Sequence, residues 1–127
     1  MAEGAFPAGA LWQLQRLALD AAVNAIVVTD VAGRILWVNP VFTRLTGFRP
    51  DEAIGRTPRL LKSGAQEPRI YEELWATIRA GRVWRGRLVN RRKDGRLYVE
   101  EQSITPVMAD GGRITHFIAV KQDRTAY

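Results

Sequence analysis

Cysteine is absent from the sequence, and histidine occurs once in 127 residues. The first absence excludes a disulfide framework, thiol chemistry and zinc sites built on cysteine. The second leaves His116 unable to form a metal centre or a Ser-His-Asp arrangement by itself. No apolar run approaches a membrane span, and Met1 to Ala10 lacks the basic and apolar regions of a secretory signal. The expectation is a cytoplasmic chain with no membrane contact by this segment. Paired carboxylates, a nucleophile motif and a phosphate-cradling glycine loop are also missing, and Gly111-Gly112 is explained as a turn. The chain is therefore not expected to be an enzyme.

What is present fits one domain. Hydrophobic residues make up 46% and charged residues 25%, enough for a single core of modest size. The net charge of +6 is spread among interspersed acidic residues and reads as a solvated basic surface. Its densest basic cluster sits at a hairpin turn. A basic helix or an aromatic-basic platform is what nucleic-acid binding would need, so no nucleic-acid partner is expected.

Taken in order, Ala2 to Gly9 is a Pro/Gly-marked leader. Leu11, Leu14, Ala18 and Ala21, with Leu17 alongside, predict a helix from Ala10 to Asn24. It packs on its own domain or on a second copy. Because the stripe starts well before the first strand, a homodimer through this helix and the sheet is expected. Ile26 to Asp30 and Ile35 to Val38 read as a hairpin. Short helices follow at Val41 to Thr46, ended by Gly47, and from Pro50, closed by Gly55. Thr57 to Glu67 is expected to be irregular. Pro68 to Ala80 is the clearest interior helix, stopped by Gly81, and Trp37 and Trp75 are assigned to the core. Two strands within Trp84 to Pro106 and a last one from Arg113 to Gln122 complete the order. With no βαβ repeat, the class is α+β on an antiparallel sheet.

The turn between the two strands within Trp84 to Pro106 carries most of the functional inference. Lys93-Asp94-Gly95 suits a three-residue loop with Gly95 in the left-handed position. That choice pairs Asn90 with Tyr98 and Leu88 with Glu100. By alternation, Trp84, Leu88 and Asn90 then share a face with Tyr98, Glu100, Gln102 and Ile104. The opposite face carries Arg85, Arg87 and Arg91 and belongs to solvent. A two-residue Asp94-Gly95 loop would move Glu100 to the other face from Asn90. Buried polar groups without partners cost about 1–3 kcal/mol each. Asn90, Glu100 and Gln102 therefore need a polar ligand, each other, water or Lys121.

Several segments occur in a recognisable order: Asn39-Pro40-Val41-Phe42, Leu45-Thr46-Gly47-Phe48, Glu52-Ala53-Ile54-Gly55-Arg56, Leu74-Trp75, Trp84-Arg85-Gly86, Asn90 to Gly95, Ile104-Thr105-Pro106-Val107 and a closing Asp-x-Thr. Together they resemble a PAS domain over Leu17 to Thr125, with residues 1–16 as leader and flanking helix and 126–127 opening a linker to an effector. The resemblance implies a five-stranded antiparallel sheet in the order 2-1-5-4-3, short helices on one face and an N-terminal amphipathic helix. It implies a sensor joined to a histidine kinase, a cyclic-di-GMP (GGDEF) enzyme or a transcription regulator. Two flavin-binding branches are similar. In light-oxygen-voltage photoreceptors the reactive cysteine lies in Gly-Arg-Asn-Cys-Arg-Phe-Leu-Gln. The matching run here is Gly55-Arg56-Thr57-Pro58-Arg59-Leu60-Leu61-Lys62, so Pro58 rules out adduct photochemistry. Redox sensors that control nitrogen fixation bind FAD without that cysteine, and Trp84 to Asp94 resembles them.

In both branches an Asn at the Asn90 position contacts the flavin's pyrimidine edge. Glu100 falls where photoreceptors often have a second Asn, and Lys121 where they have Gln. The resemblance implies a flavin, FAD rather than FMN, held by Asn90, Trp84, Leu88, Glu100, Gln102, Ala119, Lys121, Thr57 and Arg59. Haem is not expected, because haem-binding members take their histidine from the central helical region. Two readings stay open beside the redox or oxygen sensor. One is a cofactor-free dimerisation and relay module whose inner face closes through a Glu100–Lys121 ion pair. The other is a sensor of a small metabolite.

Overall fold

The computed structural model describes Ala18 and residues 22–125. Of the helix expected over Ala10 to Asn24, residues 23–24 form a bend and residue 22 has no regular structure. Apart from Ala18, which is helical, the remainder lies outside the described residues, and so does the helix's part in a dimer.

Strand β1 (Ala25–Asp30) turns into β2 (Ile35–Val38). The Asp30 carboxylate closes that turn by accepting from Ala32 N and Arg34 N, both at 2.9 Å. Asn39 is fully buried and joins the hairpin to the helices. Its Oδ1 accepts from Ile26 N at 2.9 Å and from Phe42 N at 3.2 Å, and its Nδ2 donates to Asn24 O. It is thus the N-cap of α1 (Pro40–Thr46). Helix α2 (Pro50–Ala53) follows, and Ile35 N–Arg56 O and Gly55 N–Ile35 O bonds of 2.8 Å return the chain to β2.

The stretch from Thr57 to Glu67 is more ordered than expected. Pro58–Leu61 forms a 3-10 turn, and Lys62 makes an isolated antiparallel bridge with Asn90. Helix α3 (Pro68–Arg79) turns Leu74 and Ile78 into the core. Strands β3 (Trp84–Arg91), β4 (Leu97–Met108) and β5 (Ile114–Asp123) finish the domain.

The sheet order is β2-β1-β5-β4-β3, with every neighbouring pair antiparallel. The β3–β4 register follows the three-residue loop. Gly95 has φ 91°, Gly95 N donates to Arg92 O, and Asn90 faces Tyr98 while Leu88 faces Glu100. Arg85, Arg87 and Arg91 are exposed, whereas Trp84, Leu88 and Asn90 are buried. Trp37 corrects its core assignment. It pairs with Val28 and is only half-buried, while Ile35 and Val38 enter the core. The register shift between Val28 and Thr29 breaks strict alternation there. Trp75 is partly buried and packs against the core edge-on to Phe117, with ring centroids 6.0 Å apart.

Candidate functional site

Between the inner face of the sheet and the helical segments lies a cavity of about 560 Å3. Its sheet wall comes from Val27 and Thr29 of β1, Leu88 and Asn90 of β3, Gln102 and Ile104 of β4, and Phe117, Ala119 and Lys121 of β5. Its other wall is Tyr71, Leu74, Trp75 and Ile78 of α3, with Gly33 from the β1–β2 turn. A Cβ on Gly33, whose φ is 87°, would stand 3.0 Å from the Trp75 ring, so glycine lets the turn close on α3. Thr57, Pro58, Arg59, Lys62 and Arg79 also line the cavity. Lys62 lies 4.7 Å from the Tyr71 ring centroid and Arg79 4.8 Å from that of Trp75, so aromatic faces seat these cations.

The polar end is a network around Glu100, which has no exposure. Its Oε2 accepts from Lys121 Nζ at 3.0 Å and Asn90 Nδ2 at 3.2 Å, and its Oε1 from the Tyr98 hydroxyl at 3.0 Å. Lys121 Nζ also donates to Gln102 Oε1 at 2.8 Å. Burial pushes the Tyr98 phenol well above its ordinary range, and the neighbouring Glu100 charge and hydrogen bond push it further. Tyr98 therefore stays protonated and donates. A buried ion pair is tolerable when hydrogen bonds satisfy its remaining positions, and these partners do that for Glu100.

Of the residues singled out from sequence, Asn90, Leu88, Gln102, Ala119, Lys121, Thr57 and Arg59 line one cavity. Glu100 and Trp84 do not. Glu100 stands behind the wall, bonded to the lining Asn90 and Lys121. Trp84 lies over Gly86, where a Cβ would fall 2.7 Å from the indole. Arg92 was missed, and Tyr98, expected on the inner face, was given no part in the site. Arg92 lies 4.5 Å from the Tyr98 ring centroid and forms a 3.1 Å ion pair with Asp123. The alternation that turns Glu100 inward also turns Tyr98 inward, so that signal was available. The Arg92–Asp123 pair joins distant parts of the chain and has no local signal. His116 is half-buried and alternates with Phe117, Ala119 and Lys121, away from the cavity. Among the described residues no cluster of His, Cys, Asp and Glu could hold a metal ion, and no helix is long and apolar enough to cross a membrane.

A 2-1-5-4-3 antiparallel sheet closed by short helices over an inner cavity is the architecture that the PAS resemblance implies. The chain belongs to the PAS family, whose model, described as "PAS domain", matches residues 23–126. It is 38% identical over 105 residues to the nitrogen fixation regulatory protein of Klebsiella oxytoca, covering 83% of this chain and 21% of that protein. It is 31% identical over 120 residues to a blue-light-activated histidine kinase of Rhizobium johnstonii, covering 91% of this chain and 34% of the kinase. Among solved structures, an RNA-binding light-oxygen-voltage receptor superposes with a TM-score of 0.88 at 30% identity, covering 98% of this chain and 36% of that one. The chain thus spans about a fifth of the nitrogen fixation regulator's length.

Proposed function

We propose that this PAS domain is a cytoplasmic sensor holding a flavin in the cavity, FAD in preference to FMN, and that it reports redox state or oxygen through a dimer to an effector domain. The observation that carries the reading is the shape and chemistry of one cavity. It has apolar walls, a small residue, Ala119, on its floor, hydrogen-bonding groups at its inner end, and cationic Arg59, Lys62 and Arg79 along its lining.

The residues fit the group. Asn90 gives its NH2 to Glu100 and keeps a carbonyl that can accept. Gln102 gives its carbonyl to Lys121 and has amide hydrogens to donate. Lys121 keeps one ammonium hydrogen beyond the two it uses. Acceptor and donors thus converge as an imide edge between two carbonyls requires. Leu88, Ile104 and Ala119 offer one flat face, and Leu74 and Ile78 the other. Arg59, Lys62 and Arg79 suit phosphate charges. Similarity to a nitrogen fixation regulatory protein supports FAD over FMN. A bound flavin supplies a ring that changes charge and hydrogen bonding when reduced. This chain's residues orient that ring, exclude water from it and read the change at Asn90, Gln102 and Lys121.

The visible spectrum of the purified chain, with and without added FAD or FMN, tests the reading. Flavin absorption with one flavin per chain is expected. Asn90→Ala should weaken binding about tenfold, or about 1.4 kcal/mol. A colourless chain that takes up neither flavin removes the proposal. It would favour the second reading, a cofactor-free relay module, which draws support from the fully partnered Glu100 carboxylate.

A further inference from the structure

We infer that Lys121 sets the electrical character of the cavity, making this site favour a ligand ring that gains negative charge. The inference rests on the flavin reading above and deepens it. It starts from an asymmetry in the buried ion pair. Lys121 lines the cavity, while its partner Glu100 does not. Glu100 lies behind the wall, its two oxygens already shared among Lys121, Asn90 and Tyr98. The pair is overall neutral, but it is a dipole with its positive end turned inward. The side chains at this end are buried: Lys121 is 3% exposed, Asn90 5% and Gln102 6%. Charges are poorly screened in such a place, so the nearer cation outweighs the farther anion. Gln102 fixes the ammonium by accepting from it at 2.8 Å, leaving its third hydrogen for a ligand carbonyl.

When the bound ring takes two electrons from a reductant and one proton from solvent, it gains one negative charge. Lys121 stabilises that charge and leaves the uncharged oxidised ring nearly untouched. Charge beside the ring is one of the means by which a protein tunes a flavin. Lys121 is thus a specificity-determining residue for the reduced form, raising the potential at which the sensor switches.

The test is the two-electron midpoint potential of the FAD-loaded 127-residue chain, followed by absorbance during titration with dithionite. Lys121→Gln alone strands Glu100 and endangers folding, so the decisive variants are Glu100→Gln, in which Lys121 keeps its Gln102 acceptor, and the double change at both positions. Glu100→Gln leaves the cation uncompensated and should raise the midpoint. The double change Glu100→Gln/Lys121→Gln keeps the hydrogen-bonding capacity without either charge and should lower it. A tenfold change in relative affinity for the reduced form, about 30 mV for two electrons, is expected in each direction. Midpoints that coincide, or move in the same direction, overturn the role of Lys121 while leaving flavin binding intact. A chain that takes up no flavin overturns both this inference and the reading it rests on.

Discussion

Tyr98 shows how much one buried residue can commit. Its hydroxyl is held by burial and by Glu100 in the protonated state, whereas a tyrosine in the unfolded chain ionises near pH 10. Above that pH the unfolded state binds fewer protons than the folded state, so stability falls as pH rises. One such proton is worth about 1.4 kcal/mol per pH unit. Tyr98→Phe should remove that part of the slope, measured by urea unfolding from about pH 9 to about pH 11. At neutral pH the same variant should lose about 1–2 kcal/mol, because Glu100 forfeits one of its donors. An unchanged slope would mean that Tyr98 ionises in the folded state. Placing Glu100, Asn90, Gln102 and Tyr98 on one face needed only the two-residue period and the loop type. Their closure with Lys121, some twenty residues on, needed β5 to pair with β4.

Among the elements, the edge strand β3 depends on a segment that sequence reasoning left shapeless. An edge presents unpaired amides and carbonyls. Gln66 covers one residue of it as a backbone would. Its Oε1 accepts from Val89 N, and its Nε2 donates to Val89 O at 3.0 Å and to the Tyr71 hydroxyl at 2.8 Å. Ser63 Oγ also donates to Val89 O, and Lys62 bridges to Asn90 one residue on. Gln66→Ala should cost about 1–2 kcal/mol and accelerate hydrogen exchange at the Val89 amide. Exchange as slow as in the parent chain would show that another group protects the edge. Composition could not reveal this, since a glutamine mimicking a strand looks like any surface glutamine until its partner strand is beside it.

At the scale of the molecule, Arg92 ties the cavity's back wall to the end of the domain. It lies over the ring of Tyr98, donates to Leu45 O of α1, and pairs with Asp123 at the end of β5. Asp123 accepts from Thr125 N, and Thr125 Oγ1 accepts from Val99 N at 2.9 Å. The closing Asp-x-Thr is therefore pinned to the strand bearing Glu100 and Tyr98. Arg92→Ala should cost about 2 kcal/mol, and it should speed hydrogen exchange at Arg124 and Thr125 more than at the centre of β1. A uniform acceleration would make Arg92 a general stabiliser with no special hold on the exit.

The sequence by itself determined the class of fold, the order of its elements and the inner face of β3 and β4. These follow from local rules, namely periodicity, helix caps and a hairpin loop whose glycine sets the register. Only the tertiary structure decided which of those inward residues meet. It put Lys121 on the cavity wall and Glu100 behind it, turned Trp37 away from the core, and gave Gln66 an edge to cover. Each of these depends on a pairing or packing contact between residues distant in the chain, and such contacts leave no period in the sequence.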